Sequence, residues 1–234
     1  MNKFLEEIQE QPEALKQTFC YYRSEEGKKS LKTVCALWKS GEYDRIVFTG
    51  MGSSYFISQA AATMISSASI PASAINAGEL LHFQFPSLTE RTLLIAVSQS
   101  GESYEVIELL KKRRLPITVI GITNESGSSL AVMATHCLLC KAGKEEMTST
   151  KTFITTYLAV YLLAESLKRH EVNEEALDGI IREVERQLAE RDTYLSRSLT
   201  FLKGHSFVQV IGRGTVFAAV AQTALMFMEA TKIP

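Results

Sequence analysis

The chain has almost no net charge and no basic stripe. Its 234 residues include 25 lysines and arginines against 26 aspartates and glutamates, a formal net charge of −1. Because nucleic-acid binding depends on clustered cations that neutralise phosphates, this balance argues against a nucleic-acid partner. The one basic cluster, Lys111 to Arg114, lies at a predicted helix end, where it favours the helix dipole and is typical of a solvated face.

Cysteine is scarce, with four residues at positions 20, 35, 137 and 140. Cys137 and Cys140 form a CxxC, a spacing found in redox and metal sites. They lie, however, in a strand-like segment, THCLLCKAG, where residues i and i+3 point to opposite faces. There is no second CxxC, and His136 is the only histidine nearby. We therefore expect buried structural thiols, no metal and a reduced, cytoplasmic protein.

Long apolar segments are also missing. The N-terminal sequence, MNKFLEEIQEQPEAL, has no apolar core of the kind found in signal peptides. The longest apolar helix, predicted over Phe153 to Leu167, contains Thr155, Thr156 and Glu165 and is too short to cross a bilayer. We expect a core helix here and no membrane partner.

Strands and helices alternate along the chain. Residues 1 to about 40 have a helical pattern, and a long charged helix is predicted from Glu171 to about Lys203. Between them lie five strand-like segments with their turns, DRIVFTGMGSS, SASIPASAINAGEL, RTLLIAVSQS, LPITVIGITN and HCLLCKAG. Their alternation with helices predicts an α/β fold, a doubly wound five-stranded parallel sheet with helices on both faces.

The strand, GxG turn and helix at the start of this unit occur a second time near the end of the chain. SFVQVIGRGTVFAAVAQTALMFMEATKIP repeats RIVFTGMGSSYFISQAAATMISSASIP at an offset of 162 residues, and both copies end in Ile-Pro. The equivalent pairs are Gly50 and Gly212, Gly52 and Gly214, Ala62 and Ala224, Met64 and Met226, and Ala68 and Ala230. Two buried strand–turn–helix units can also look alike without being repeats.

The repeat suggests four parts. They are an N-terminal helical segment (1–44), an α/β domain (45–170), a linking long helix (171–204) and the start of an incomplete second domain (205–234). On the order of a hundred further residues would be needed to complete the second copy. We therefore expect this copy to contain only its first strand and helix.

The most informative turn is in LLIAVSQSGES, residues 93–103, where an apolar strand runs into a turn before the amphipathic segment EVIELLKKR. Ser98, Gln99, Ser100 and Ser103 surround Gly101, with no lysine or arginine in the turn. Helix N-termini bind phosphates through free N–H groups and the helix dipole. The turn therefore suggests a phosphate held by hydrogen bonds rather than by ion pairs, although a Ser/Gly capping turn would have the same composition.

Two further turns of similar chemistry follow other predicted strands. The turn after the first strand contains Gly52, Ser53 and Ser54, and the turn after the fifth contains Thr148, Ser149, Thr150 and Lys151. Ligands of doubly wound sheets bind at the carboxyl ends of the strands. Three hydroxyl-rich turns at one edge suit a polyhydroxylated, singly phosphorylated ligand, that is, a sugar phosphate. Lys151 is either an anion contact or an ordinary cation near solvent.

A dinucleotide site fits the sequence less well. The GxG after the first strand lacks the third glycine of the fingerprint, because Tyr55 stands in its place. Glu79, the nearest acidic residue, lies well past the end of the short second strand, and no Gly-Lys-Ser/Thr of a P-loop occurs. The sequence therefore predicts no nucleotide and no other cofactor.

The succession GMGSS, NAGEL, SQSGES and EEMTSTKTF resembles the sugar isomerase (SIS) domain family. It is most similar to the isomerase half of glucosamine-6-phosphate synthase and to related phosphosugar isomerases, deaminases and fructosamine-6-phosphate deglycases. The resemblance covers Arg45 to Leu167 as one domain and Ser206 to Pro234 as the start of another. It implies a flavodoxin-like fold and a homodimer or higher homo-oligomer, with the helix from Glu171 either as the interface or packed within the chain.

The resemblance also implies roles for particular residues. The positions of the family's phosphate and sugar contacts are Ser53, Ser54, Ser98, Gln99, Ser100 and Ser103, with further contacts at Met147 and Ser149. Glu229 matches the glutamate that moves a proton between C1 and C2, although it could equally be a charge on an exposed helix face. Where the synthase has an acidic residue and a lysine, this chain has Gln222 and Met226.

These matches imply an isomerase, deaminase or deglycase acting on a hexose or amino-sugar 6-phosphate through an enediol or enolamine. The alternative is a catalytically silent sugar-phosphate sensor, which the two departures favour.

Overall fold

A computed structural model of the chain describes residues 2–112 and 116–231. The strands are β1 (Arg45–Gly50), β2 (Ala72–Asn76), β3 (Thr92–Val97), β4 (Val119–Thr123) and β5 (His136–Leu139). The α-helices are α1 (Lys3–Gln9), α2 (Gln11–Arg23), α3 (Glu25–Lys39), α4 (Gly52–Ser66), α5 (Ala77–Glu79), α6 (Tyr104–Lys112), α7 (Ser129–Met133), α8 (Lys151–Lys168), α9 (Glu174–Ala189), α10 (Arg191–Leu202) and α11 (Phe217–Met226).

The five strands form one parallel sheet in the order β2-β1-β3-β4-β5. Every residue of β3 and β4 is buried, which explains why these strands are continuous apolar runs rather than alternating ones. The chain moves from β1 outward to β2, then crosses back to β3 and onward. The prediction of a doubly wound, five-stranded parallel sheet is therefore confirmed, with its topological switch point between β1 and β3.

Each face of the sheet has its own core. Alternate strand residues such as Phe48 and Ile95 pack with α2, α3, α4 and α8, while Val47 and Leu94 pack with α6 and the segment around Leu80. Because successive strand side chains point to opposite faces, one apolar run supplies both cores. Helices on both faces are confirmed as well.

The prediction of one long linking helix over residues 171–204 is wrong in one respect, because two helices, α9 and α10, lie in this range. The first, α9, buries Leu177 and Ile181 against the domain, whereas α10 has no buried residue. Between them Glu190 leaves the helical conformation, with φ −93° and ψ 9°. The break separates a helix held by core packing from one that lies outside it.

The second copy of the repeat is realised only in part. Gly52 and Gly214 both adopt positive φ, 50° and 65°, and a helix follows each of them. The segment 206–211, which the structure describes, forms no strand, so the prediction of a strand in this unit is wrong. A strand needs hydrogen bonds from a neighbour, and this segment pairs with none of the five strands. The terminal Ile-Pro at 233–234 lies outside the described residues.

The two cysteines of the CxxC are free thiols, Cys140 buried and Cys137 half-buried. Burial raises the pKa of Cys137 to about 11 and that of Cys140 to about 12. Among the described residues, no group of three or more His, Cys, Asp or Glu side chains is placed to hold a metal ion. In the basic cluster, Lys111 pairs with Glu108 at 2.9 Å, whereas Arg113 and Arg114 lie outside the described residues. No helix in the ranges described is long and apolar enough for a membrane span.

Candidate functional site

The carboxyl ends of β1 and β3 lie side by side at the switch point. Gly50 ends β1 and sits so close to β3 that an added Cβ would lie 2.8 Å from the Val97 carbonyl oxygen. The turns that follow these two strands therefore start side by side at the same edge of the sheet. This is the edge where open α/β sheets bind their ligands.

The turn at residues 98–103 is built around Gly101. This glycine has φ +67°, and a Cβ placed on it would lie 2.0 Å from Ser128 Oγ and 3.0 Å from Thr123 Oγ1. Its N–H donates to the Ser98 carbonyl oxygen at 3.1 Å, which closes the turn. Only glycine satisfies both the positive φ and the close approach.

Hydroxyl groups line this turn. Ser98 is fully buried, and its Oγ lies 3.0 Å from Ser103 Oγ. Ser100 is exposed, and its Oγ accepts the Glu102 N–H at 3.2 Å. Ser103 begins the helix, since its carbonyl accepts the Ile107 N–H at 2.9 Å. The unpaired N–H groups at the start of α6 therefore lie next to the Ser98 and Ser103 hydroxyls in the chain.

Glu102 is the one carboxylate in the turn, and it is engaged elsewhere. Its Oε1 accepts the backbone N–H of Ser129, at the start of α7, at 2.7 Å. This hydrogen bond lowers the pKa of the Glu102 carboxyl. A charge that would repel a phosphate is thereby held against another helix.

An open groove of about 880 Å³ borders the turn on the β4–β5 side. The Gln99 carbonyl accepts both the Asn124 N–H and the Thr123 hydroxyl at 3.0 Å, which anchors the turn to the end of β4. Asn124 then donates from Nδ2 to the Gly143 carbonyl at 2.8 Å. Gln99 and Ser100 line this groove.

The turn after β1 places Gly52, Ser53 and Ser54 in the first turn of α4. Met51 provides no side-chain cap for this helix, and Ser53 and Ser54 are half-buried. A second helix N-terminus therefore opens beside that of α6 with its serine side chains available.

The turn before α8 is different, because carboxylates already engage its hydroxyls. The Glu145 carboxylate accepts both the backbone N–H and the hydroxyl of Thr150 at 2.9 Å, and it also accepts the Thr152 hydroxyl. Ser149 Oγ lies 3.1 Å from Thr152 Oγ1, and Met147 is 52% exposed. A carboxylate at the helix N-terminus takes the place that an anion would occupy.

Of the two expectations for Lys151, the structure contradicts the ordinary cation near solvent, and the anion contact stays a prediction. It is buried, and its Nζ forms an ion pair with the Glu10 carboxylate at the junction of α1 and α2. It is therefore not a cation near solvent, and its charge is already compensated by a carboxylate that local sequence could not reveal.

Glu229 lies at this third turn. Thr148 donates its hydroxyl to Glu229 Oε2 at 2.7 Å, and Glu229 itself sits in the π-helical turn Phe227–Thr231 that follows α11. Gln222, on α11, donates from Nε2 to the Ser149 carbonyl at 3.1 Å. A carboxylate at position 222 could not donate this hydrogen bond. Met226 Sδ lies 3.8 Å from Thr148 Oγ1.

Sequence reasoning missed the residues that hold this turn. The sequence predicts Thr148 only as a hydroxyl of the turn and predicts no role for Glu7 or Glu145. Glu7 is fully buried and accepts the backbone N–H groups of Glu146 and Met147 at 2.6 and 3.2 Å. The only available signal was a glutamate on an otherwise core-facing position of α1.

The fold is that of a doubly wound α/β protein, with a candidate ligand site at the carboxyl edge of its sheet. Residues 42–166 match the model of the SIS domain family, which is more than half of the chain. The chain belongs to the SIS domain family, as its motifs indicated.

Individual relatives agree with this assignment. Glutamine–fructose-6-phosphate aminotransferase (isomerizing) of Methanothermobacter thermautotrophicus is 29% identical over 231 residues, 98% of this chain and 37% of that protein. The C-terminal domain of glucosamine-fructose-6-phosphate aminotransferase from Francisella tularensis superposes with a TM-score of 0.78 at 26% identity, covering 99% of this chain and 68% of that one. Tagatose-6-phosphate ketose/aldose isomerase from Escherichia coli, at 20% identity and a TM-score of 0.73, shares the fold over 97% of this chain and 64% of its own. The chain thus spans well under half of the curated relative's length.

Proposed function

We propose that the chain binds a hexose or amino-sugar 6-phosphate at the switch point between β1 and β3. One observation carries this proposal: a hydroxyl-lined turn, residues 98–103, opens at the N-terminus of α6 with its only carboxylate held at α7. Ser53 and Ser54 at the start of α4 would supply further donors. Hydrogen bonds from serines and helix N–H groups would hold the phosphate.

The sugar would extend from the phosphate toward Met147, Ser149 and Glu229. The carboxylates at the third turn make it a poor place for a phosphate, whereas neutral sugar hydroxyls can pair with them. Glu229 would take the carbon-bound proton from one carbon of the C1–C2 pair and return it to the other through an enediol or enolamine. This describes an aldose–ketose isomerase, a deaminase or a deglycase.

A catalytically silent sensor is the second candidate. Gln222 and Met226 place no charge beside Glu229, and Gln222 serves instead to hold the Ser149 carbonyl. Such a site would bind the sugar phosphate without supplying a second acid–base group. In that case the signal would be ligand binding itself, and no reaction product would be formed.

The relatives support a phosphosugar ligand, since the names of all three contain fructose-6-phosphate or tagatose-6-phosphate. We further propose a cytoplasmic homodimer whose interface includes α10. The exposed side chains of Leu195, Leu199 and Phe201 on that helix would be covered in it, whereas α9 packs within the chain.

A thermal-shift panel tests the function. Glucose, fructose and glucosamine are compared with their 6-phosphates, and a fructosamine 6-phosphate is added. We expect at least one phosphorylated sugar at about 100 times its Kd to raise the Tm by roughly 5 to 10 °C, with no shift from the free sugar. Turnover of that ligand would identify an enzyme, and binding without turnover would identify the sensor. No shift with any phosphorylated sugar would contradict both candidates.

A further inference from the structure

The turn before α8 has no regular secondary structure between β5 and Lys151, so side chains must fix its backbone. Its residues 146–149 carry three groups proposed for the site, the Met147 and Ser149 contacts and the Thr148 hydroxyl that meets Glu229. The position of Glu229 relative to a ligand therefore depends on what holds this short segment.

One holding group comes from the far N-terminus. Glu7 lies on α1, 139 and 140 residues before the two N–H groups that its carboxylate accepts. Its Oε1 lies 2.6 Å from the Glu146 nitrogen and its Oε2 lies 3.2 Å from the Met147 nitrogen. Each oxygen thus serves one donor, and the side chain is fully buried. Hydrogen bonds to a charged acceptor in such a place are stronger than neutral ones.

The contacts continue from this anchor to the candidate base. Met147 is followed by Thr148, whose hydroxyl donates to Glu229 Oε2 at 2.7 Å. On the other side, Gln222 holds the Ser149 carbonyl. The segment is therefore held on both sides of Thr148 along the chain. A side chain of α1 holds the residues before Thr148, and a side chain of α11 holds the residue after it.

We infer that Glu7 is a positioning residue of the sugar-phosphate site, an inference that rests on the proposed function. Through the N–H groups of Glu146 and Met147 it fixes the segment whose Thr148 hydroxyl orients the Glu229 carboxylate. The N-terminal helix α1 is then part of the site's scaffold. Because this segment is ordered before the ligand binds, ligand binding does not have to supply the free energy of ordering it.

The test compares Glu7→Gln with Glu6→Gln on the same helix, where the half-buried Glu6 side chain pairs with Lys3 at 3.8 Å. Glutamine keeps one acceptor oxygen but turns its NH₂ toward a backbone N–H. We expect Glu7→Gln to speed amide exchange at Glu146 and Met147 by about tenfold. We also expect the Kd of the best ligand from the panel, measured by calorimetry, to rise about tenfold, with Glu6→Gln unchanged in both.

Glu7→Asp provides a second variant if glutamine prevents folding, because it keeps the charge and shortens the reach. We expect its exchange rates and Kd to fall between those of the wild type and Glu7→Gln. Faster exchange with an unchanged Kd would overturn the inference while leaving the proposed function intact. Unchanged exchange at both amides would also overturn it. A wild type that binds no sugar phosphate would instead contradict the proposed function itself.

Discussion

Replacing Glu229 by glutamine is expected to abolish proton transfer and leave binding almost intact. Glutamine keeps the size of the side chain and can still meet the Thr148 hydroxyl, but it cannot take a proton from carbon. Turnover of the ligand found in the panel should fall about 10²- to 10⁴-fold, the range that a general base contributes. Deuterium uptake from solvent at C1 or C2 measures the step directly.

The control for this variant is Glu42→Gln, which changes an exposed carboxylate outside the site. Its turnover and binding should match those of the wild type. If Glu229→Gln exchanged the carbon-bound proton at the wild-type rate, another group would be the base. Loss of binding in Glu229→Gln would show that the carboxylate contributes mainly to ligand affinity.

The second large effect is expected from Gly101→Ala. Alanine would have to keep φ near +67° and place its Cβ 2.0 Å from Ser128 Oγ, so the turn must shift. The strained conformation and the overpacking together should lower the free energy of unfolding by about 2 to 4 kcal/mol. For a chain of this size that lowers the Tm by roughly 5 to 15 °C, measurable by circular dichroism.

Gly41→Ala is the matched control for this substitution. Gly41 also has a positive φ, +79°, but a Cβ there would have no atom within 4 Å. Only the backbone strain remains, about 1 kcal/mol, which corresponds to roughly 2 to 4 °C. Sugar-phosphate binding should be lost in Gly101→Ala and kept in Gly41→Ala. Equal Tm values for the two variants would mean that the contacts with Ser128 do not constrain the turn.

The sheet could be predicted from sequence because its signals are local. The two fully buried strands, β3 and β4, are short apolar runs that lead into serine and asparagine, as in the step from Val97 into the turn at residues 98–103. The alternation of such runs with helical patterns admits few topologies. The family motifs lie on these same strand ends, so the candidate site was predicted together with the fold.

The errors arose where distant contacts decide the structure. Nothing near Lys151 in the sequence indicates that Glu10 will neutralise it, and nothing near Met147 indicates Glu7. The segment 206–211 has a strand-like sequence but meets no neighbouring strand. The break at Glu190 follows from α9 packing on the core while α10 does not. The intrinsic preference of a residue for helix or strand does not indicate which residues far away in the chain it will contact.

The central claim is that a hydroxyl-lined turn without lysine or arginine holds the phosphate of a sugar phosphate. Calorimetric titration of the wild type, Ser103→Ala and the exposed control Ser196→Ala with the best ligand from the panel tests it most directly. Losing one hydrogen bond to a charged phosphate should weaken binding by about 10- to 100-fold in Ser103→Ala and not at all in Ser196→Ala. Equal affinity of wild type and Ser103→Ala, or equal affinity for the free and phosphorylated sugar, would contradict the account.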